Sequence, residues 1–159
     1  MNEVAYEAMN KTDFPSFGNW IARGATVTWE QWDGNYSRNH PMFGGGLVWF
    51  YRQVAGLSYD ENAPGFKEMV VAPIIPEKLN SASYGYETPF GFAKVGWKRA
   101  ENGKIDFEVI IPVGSTAKLS LPGSTVEIKK GSKLATDMKT ADGKVSFTLP
   151  QGTYEITTK

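Results

Sequence analysis

The second half of the chain alternates apolar and polar residues, which is the pattern of strands that bury one face. In the segment 105–111 every odd-numbered residue is apolar, whereas Asp106 and Glu108 lie between them. The same alternation predicts further strands at 117–121, 126–128, 145–149 and 154–156. Two apolar runs, at 69–71 and 92–98, predict two more.

Turn signals separate these predicted strands. Asn102-Gly103 and Asp142-Gly143 are dipeptides typical of tight hairpins. Pro122-Gly123 and Gln151-Gly152 predict further turns. Short strands at this spacing predict an antiparallel β-sandwich, which we assign to residues 61–159.

The first half of the chain places its apolar residues at helical spacing instead. The pattern predicts helices over the first nine residues, over Ser16–Arg23 and over Phe43–Leu57. The third is apolar around most of its circumference and needs cover on several sides. Three such helices cannot cover one another, so residues 1–60 resemble part of a larger helical domain. Ser58–Gly65 is the predicted junction, and the fold class is α+β.

Composition narrows the classes of partner and site. Seventeen basic and seventeen acidic residues give zero net charge, which argues against nucleic acid or an acidic membrane as partner. The longest apolar stretch is too short to cross a bilayer, and the first residues lack a signal-peptide pattern. We expect a soluble protein whose compartment stays open. Without cysteine, and with one histidine, neither a metal site nor a cofactor is expected.

One carboxylate stands between two tryptophans in the segment Trp29-Glu30-Gln31-Trp32. Indole rings offer flat apolar surface to a sugar. They also exclude water, which raises the pKa of a carboxylate towards the range of an acid–base catalyst. The alternative is that both tryptophans are core residues and Glu30 is a satisfied or solvent-facing acid, since buried tryptophans are common.

The single histidine follows in a loop rich in polar side chains. Two roles are open for His40: a contact to bound sugar, or a hydrogen bond that caps a helix beginning near Phe43. Arg38 could form an ion pair with Glu30 or Asp33 in the same loop.

Several motifs, in this order and spacing, resemble the C-terminal stretch of bacterial α-L-rhamnosidases, glycoside hydrolase family seventy-eight. The resemblance covers essentially the whole chain. The motifs that carry it are Gly24–Asp33, Asn39–Gly44, Tyr51–Leu57, Pro64–Lys67, Ala82–Tyr84 and Pro89–Gly91.

The resemblance implies that residues 1–60 end an (α/α)₆ barrel and that residues 61–159 form the C-terminal β-sandwich. That family hydrolyses terminal α-L-rhamnosides with inversion, using two acids. Glu30 matches the proposed general base, and His40 matches a sugar contact. We expect Asn39, Trp29 and Trp32 to complete the sugar contacts.

The family's general acid lies in earlier barrel helices, which have no counterpart in this chain, so the isolated chain is expected to be inactive. The implied partners are a rhamnose-containing oligosaccharide or glycoside and the remainder of the barrel. Self-association through the helical half is also expected, because its apolar surface lacks those neighbours.

Two other classes of function stay open. The chain could be a noncatalytic carbohydrate-binding module in which the β-sandwich binds the ligand, or a structural domain that braces a barrel. Sugar binding by the sandwich would require exposed aromatic side chains on one face. The candidates are Tyr84, Tyr86 and Phe90.

Overall fold

The computed structural model describes residues 2–131 and 135–159. This part of the chain is mostly β-strand with few helices. The chain divides into two compact units, Met1–Phe50 and Tyr51–Lys159, and each is described by itself. In the described residues, no helix is long and apolar enough to cross a membrane.

The first unit holds helices α1 (Asn2–Met9), α2 (Phe17–Ala22) and α3 (Gly45–Trp49). Ser16 caps the start of α2, and its hydroxyl accepts the Asn19 N–H at 3.0 Å. This is the usual way to satisfy a free N–H group in the first turn of a helix. The predictions of helices in the first nine residues and after Ser16 are therefore confirmed.

The third predicted helix, Phe43–Leu57, is broken into shorter pieces. A 3₁₀ turn (Pro41–Gly44) precedes α3, and a π-helix (Phe50–Ala55) follows it. Gly56 then ends the helical path with φ of 84°. A Cβ there would lie 2.4 Å from the nitrogen of Pro73, so only glycine fits.

The described part of the second unit contains eight strands. Their bounds are β1 Leu57–Tyr59, β2 Glu68–Val71, β3 Ser81–Thr88, β4 Gly91–Arg99, β5 Ile105–Pro122, β6 Val126–Lys130, β7 Thr136–Ala141 and β8 Lys144–Thr158. Every strand predicted from the sequence lies within one of these. Strands β3 and β7 were not predicted from the sequence, and β1 lies across the end of the predicted third helix and the start of the predicted junction.

The long strands β5 and β8 pair antiparallel and organise the sheet. Their first shared region joins Ile105–Ile111 of β5 to Gly152–Thr158 of β8. There β4 pairs with β5, β6 pairs with β8, and β3 pairs with the other edge of β4. Their second shared region joins Thr116–Pro122 of β5 to Lys144–Pro150 of β8. There β2 pairs with β5, β7 pairs with β8, and β1 pairs with the other edge of β2. Strand β2 is parallel to β5, whereas the other pairs are antiparallel. Both regions bury alternate residues, so each has one apolar face.

The predicted turn at Gln151-Gly152 is wrong, because β8 continues through it. The pairing of β5 with β8 breaks at this point: Ile111 lies opposite Gly152, and Thr116 lies opposite Pro150. Buried apolar residues of β8 are odd-numbered before the break and even-numbered after it. At the break, four residues of β5 (112–115) lie against one residue of β8, Gln151. Such an unequal count moves the side chains that follow in β8 to the other face. The glycine therefore marks a break in register and not a reversal of the chain.

Candidate functional site

Five rings form an aromatic cluster in the first unit: Phe17, Trp20, Trp29, Trp32 and Phe43. Trp20 is at its centre, with its ring centroid 4.5 Å from that of Trp32 and 5.4 Å from that of Phe43. Trp20 Nε1 also donates to the carbonyl of Trp32 at 2.9 Å. Because buried indole N–H groups need an acceptor, this bond ties the cluster to the chain just after Glu30.

Glu30 and His40 lie on two chain segments that run side by side. The N–H of Glu30 donates to the carbonyl of Ser37 at 2.8 Å, and the N–H of His40 donates to that of Thr28 at 2.9 Å. The Thr28 hydroxyl adds another hydrogen bond between the segments by donating to the carbonyl of His40, with 2.5 Å between the two oxygens. Between these segments lie residues 31–36, here called the site loop.

The carboxylate of Glu30 is anchored and still accessible. Its Oε2 accepts the N–H of Ser37 at 3.1 Å, and Nδ1 of His40 lies 3.9 Å from the same oxygen. The side chains of Glu30 and His40 are 36% and 38% exposed. A carboxylate held by one backbone N–H beside an imidazole can accept a proton from water, which is the property a general base needs.

The two tryptophans around Glu30 have different environments. Trp29 is only 4% exposed, and the guanidinium carbons of Arg23 and Arg38 each lie 4.9 Å from its ring centroid. Trp32 is half-buried, and its ring packs against Trp20 and Phe43. The burial of Trp29 favours the core alternative for that ring, whereas sugar contact by Trp32 stays a prediction.

The remaining polar residues of the loop bind their own neighbours. Asp33 accepts the backbone N–H of Asn35 at 2.9 Å through one carboxylate oxygen, and its side-chain amide at 2.7 Å through the other. Arg38 Nε donates to the carbonyl of Gly34 at 3.1 Å, in place of the ion pair considered from the sequence. Asn39 is exposed, and its N–H lies 3.3 Å from Ser37 Oγ.

His40 occupies the residue before the 3₁₀ turn Pro41–Gly44, but its ring makes no capping hydrogen bond to the described residues. The capping alternative is therefore wrong. The sugar-contact alternative stays a prediction, since the ring faces Glu30 and is partly exposed.

Arg23 belongs to none of the candidate site residues predicted from the sequence. Its Nη2 donates to the carbonyl of Asp33 at 2.7 Å, and its Nη1 to that of Trp32 at 3.3 Å. The contact joins the end of α2 to the site loop, and no local sequence pattern reports such a contact. In residues 2–131 and 135–159, no group of three or more histidine, cysteine or acidic residues could hold a metal ion.

The second unit carries a groove of about 790 Å³ on the solvent face of the β3, β4, β5, β8 and β6 region. Cross-strand ion pairs line it: Lys94 Nζ lies 2.7 Å from Glu108, and Lys129 Nζ lies 3.2 Å from Asp106. The charges alternate in sign, as on an ordinary solvated sheet face. They do not indicate a strongly charged ligand.

Two groups of rings lie in the second unit and are here together called the tyrosine row: Tyr51 with Tyr84, and Phe66 with Tyr59 and Tyr86. Tyr51 and Tyr84 stack with centroids 4.5 Å apart, and Phe66 and Tyr86 stack at 5.5 Å. Tyr59 lies 5.4 Å from Phe66. Burial and the neighbouring tyrosines raise the pKa of Tyr84. Tyr86 is 47% exposed, so the row reaches solvent.

Comparison with known proteins covers both units. The family model for the bacterial alpha-L-rhamnosidase 6 hairpin glycosidase domain matches residues 1–54. The model for the bacterial alpha-L-rhamnosidase C-terminal domain matches residues 56–136. Together the two matches run through most of the chain.

Among curated proteins, an alpha-L-rhamnosidase of Alteromonas sp. (strain LOR) is 31% identical over 76% of this chain and 14% of its own length. One from Formosa agariphila is 27% identical over 99% of this chain and 19% of its own length. The chain therefore spans less than a fifth of the length of the curated relatives it matches.

Two solved structures are similar over nearly the whole chain. The Streptomyces avermitilis alpha-L-rhamnosidase complexed with L-rhamnose has a TM-score of 0.84 at 25% identity, covering 99% of this chain and 16% of that one. The alpha-L-rhamnosidase from Dictyoglumus thermophilum has a TM-score of 0.83 at 27% identity, covering 98% of this chain and 18% of that one.

Proposed function

Because the chain belongs to the bacterial α-L-rhamnosidase family, we propose that it is the C-terminal part of an inverting glycoside hydrolase that removes terminal α-L-rhamnose. In this proposal residues 1–60 end an (α/α)₆ barrel, and residues 61–159 form a β-sandwich. The order of the two family matches supports this division. The two regions of the sheet, each with one buried face, are suited to form the two layers of a sandwich.

Glu30 is the general base of this proposal. The observation that carries it is the pairing of an anchored, partly exposed carboxylate with His40 at 3.9 Å. Glu30 takes a proton from water, the water oxygen attacks the anomeric carbon, and the leaving oxygen is protonated by a second acid. In inverting enzymes the two carboxyl groups lie roughly 6.5–9.5 Å apart.

The second acid belongs to the preceding part of the barrel. Asp33 is the nearest other acid in the sequence, but both of its carboxylate oxygens are bound by Asn35. We assign sugar contacts to His40, Asn39 and Trp32, which are exposed or half-exposed. Trp29 is buried, and we assign it to holding the segment that carries Glu30.

The remainder of the barrel is the proposed partner of the first unit. Large apolar side chains there are exposed: Val4, Phe14, Ile21, Val27, Tyr36, Met42, Leu47 and Val48. Exposed apolar surface of this extent marks an interaction site. In the parent enzyme we propose that the preceding barrel helices cover it, and that in the isolated chain a second copy does.

Replacing Glu30 by glutamine in the parent enzyme tests the proposal. We expect kcat to fall by about 10²–10⁴ while KM stays within a few-fold, since a base acts on water in the transition state. The matched control is Glu61→Gln, an exposed acid of the second unit. Near-normal turnover of an aryl α-L-rhamnoside by Glu30→Gln would exclude Glu30 from the mechanism.

A noncatalytic carbohydrate-binding module is the second candidate function. The tyrosine row favours it, because stacked, partly exposed rings offer flat amphipathic surface to a sugar. Titration of the 159-residue chain with a rhamnose-containing oligosaccharide tests it by calorimetry. Binding that Tyr86→Ala abolishes and Glu30→Gln preserves would favour the module, and no binding would reject it.

A further inference from the structure

Two arginines hold the site loop, residues 31–36, from its two sides. Arg23 comes directly after α2 and donates to the carbonyls of Trp32 and Asp33. Arg38 comes after the loop and donates through Nε to the carbonyl of Gly34. Guanidinium groups therefore bind three successive carbonyls of this loop.

The same two guanidinium groups lie over Trp29, each 4.9 Å from its ring centroid. A cation over an indole face is attracted by the ring's negative quadrupole. The backbone of the loop also rests on this ring, because a Cβ on Gly34 would lie 2.7 Å from Trp29 Cζ3. Trp29 is thus the shared support of both arginines and of the loop.

Glu30 is linked to both ends of this arrangement. It follows Trp29 directly, and Ser37 at the end of the loop binds it twice. Ser37 accepts the N–H of Glu30 at 2.8 Å and donates its own N–H to Oε2 at 3.1 Å. A shift of the loop or of Trp29 therefore moves the carboxylate. Reacting groups must be held within about 0.5 Å, and a displacement of about 1 Å costs roughly hundredfold in rate.

We propose that Arg23 and Arg38 are positioning residues that hold the Glu30 carboxylate through Trp29 and the site loop. The proposal rests on the general-base role proposed for Glu30. It also predicts a larger contribution from Arg23 than from Arg38. Arg23 binds two carbonyls through two nitrogens, whereas Arg38 binds one carbonyl. A lysine ammonium is a point charge and cannot reproduce the two-nitrogen contact.

Kinetics of the parent enzyme give the first test. Arg23→Ala is expected to lower kcat by about tenfold to hundredfold with KM within a few-fold, and Arg38→Ala by a smaller factor. Arg38→Lys is expected to recover most of the loss, and Arg23→Lys only part of it. The matched control is Arg52→Ala, whose guanidinium lies 5.5 Å from the ring centroid of Tyr59 in the second unit.

Amide hydrogen exchange in the 159-residue chain gives a test that does not depend on catalysis. Arg23→Ala and Arg38→Ala are expected to speed exchange at the N–H groups of Ser37 and His40, and Arg52→Ala is not. If hydrogen exchange at the Ser37 N–H is unchanged in both arginine variants, the proposal is wrong, whatever their kcat. A rise in KM with unchanged kcat would overturn it too, because the arginines would then contact substrate.

Glu30→Gln separates the two proposals. If Glu30→Gln abolishes turnover while both arginine-to-alanine variants retain it, positioning is rejected and the general base stands. If Glu30→Gln retains turnover, the general base is rejected, and faster exchange at Ser37 still supports the hold of the arginines on Glu30.

Discussion

The two units differ in how far each can bury its own apolar side chains. In the second unit, alternate residues of the long strands are almost fully buried, including Leu119, Leu121, Phe147 and Tyr154. In the described part of the first unit, the buried apolar side chains are Tyr6, Trp20 and Trp29. Sheet regions that share long strands can complete a core, whereas short helices with apolar surface on several sides need neighbours.

This difference shows which of the two units can form a core from its own residues. The candidate site lies in the unit with the smaller core and rests on the aromatic cluster and the two arginines. The second unit has its own core but none of the residues proposed for catalysis.

Removing a core ring of the second unit has the largest expected effect. Phe147→Ala on β8 leaves a cavity opposite Leu119 and is expected to lower the free energy of unfolding by about 3–5 kcal/mol. Chemical denaturation followed by circular dichroism measures it. The control, Ile21→Ala at a side chain that is 72% exposed, is expected to change it by about 0.5 kcal/mol or less. Equal effects would contradict the contrast.

Limited proteolysis compares the units directly. We expect cleavage before about residue 64, with a folded fragment that retains the sheet, because exposed and weakly packed segments open first. Mass spectrometry identifies the cut, and circular dichroism of the fragment reports its strands. A resistant monomer with intact first-unit helices would show that these helices are self-sufficient, and would favour an independent module.

Charged substitutions on the first unit are expected to weaken self-association of the isolated chain. Leu47→Glu combined with Val48→Glu places charge on exposed apolar surface. Burying such a side chain contributes roughly 1.5–3 kcal/mol to association. The dissociation constant of the dimer, measured by sedimentation velocity, should therefore rise. The control is Val113→Glu, an exposed apolar residue of the second unit. Loss of association in the control alone would assign the interface to the sheet.

The smallest expected effect is a pH dependence in the second unit. The N–H of Asn62 and then the ammonium of Lys118 lower the pKa of Asp60 from 3.8 to about 2. A carboxyl whose pKa is lowered on folding stabilises the fold above its unfolded pKa, and this contribution is lost as pH falls through the folded value. The loss should therefore occur between about pH 4 and pH 2.

Asp60→Asn is expected to reduce the acid sensitivity of the second unit in that window, as followed by thermal melts at successive pH values. Lys118→Met should act in the same direction, because Lys118 Nζ lies 3.3 Å from Asp60 and 2.5 Å from Glu68. An unchanged pH profile in both variants would contradict the assignment.

Much of the sheet could be predicted from the sequence because burial of one strand face repeats every second residue. The hairpin at Asp142-Gly143 is also local, since two residues decide the turn between Ala141 and Lys144. Asn102-Gly103 lies in a longer connection between Arg99 and Ile105, which contains a 3₁₀ turn. Strand β7 was missed because all of its residues are exposed and carry no alternation of burial. The turn at Gln151-Gly152 was wrong because a glycine at a register break has the same local signature as one at a reversal.

The candidate site could be predicted only in part. The segment from Trp29 to Trp32 and the nearby His40 pointed to Glu30, because the residue types themselves indicate sugar chemistry. The separate environments of the two indoles could not be predicted. They depend on Arg23 reaching the loop from the end of α2, which is a contact between distant residues.

The family, the division into helices followed by strands, and the carboxylate to examine follow from the sequence alone, because they depend on local periodicity and on motifs. The folded structure was needed to see which tryptophan is buried, where β8 changes its buried face, and which side chains hold the site loop. Each of these depends on contacts between residues that are distant in the sequence, and local sequence patterns do not predict such contacts.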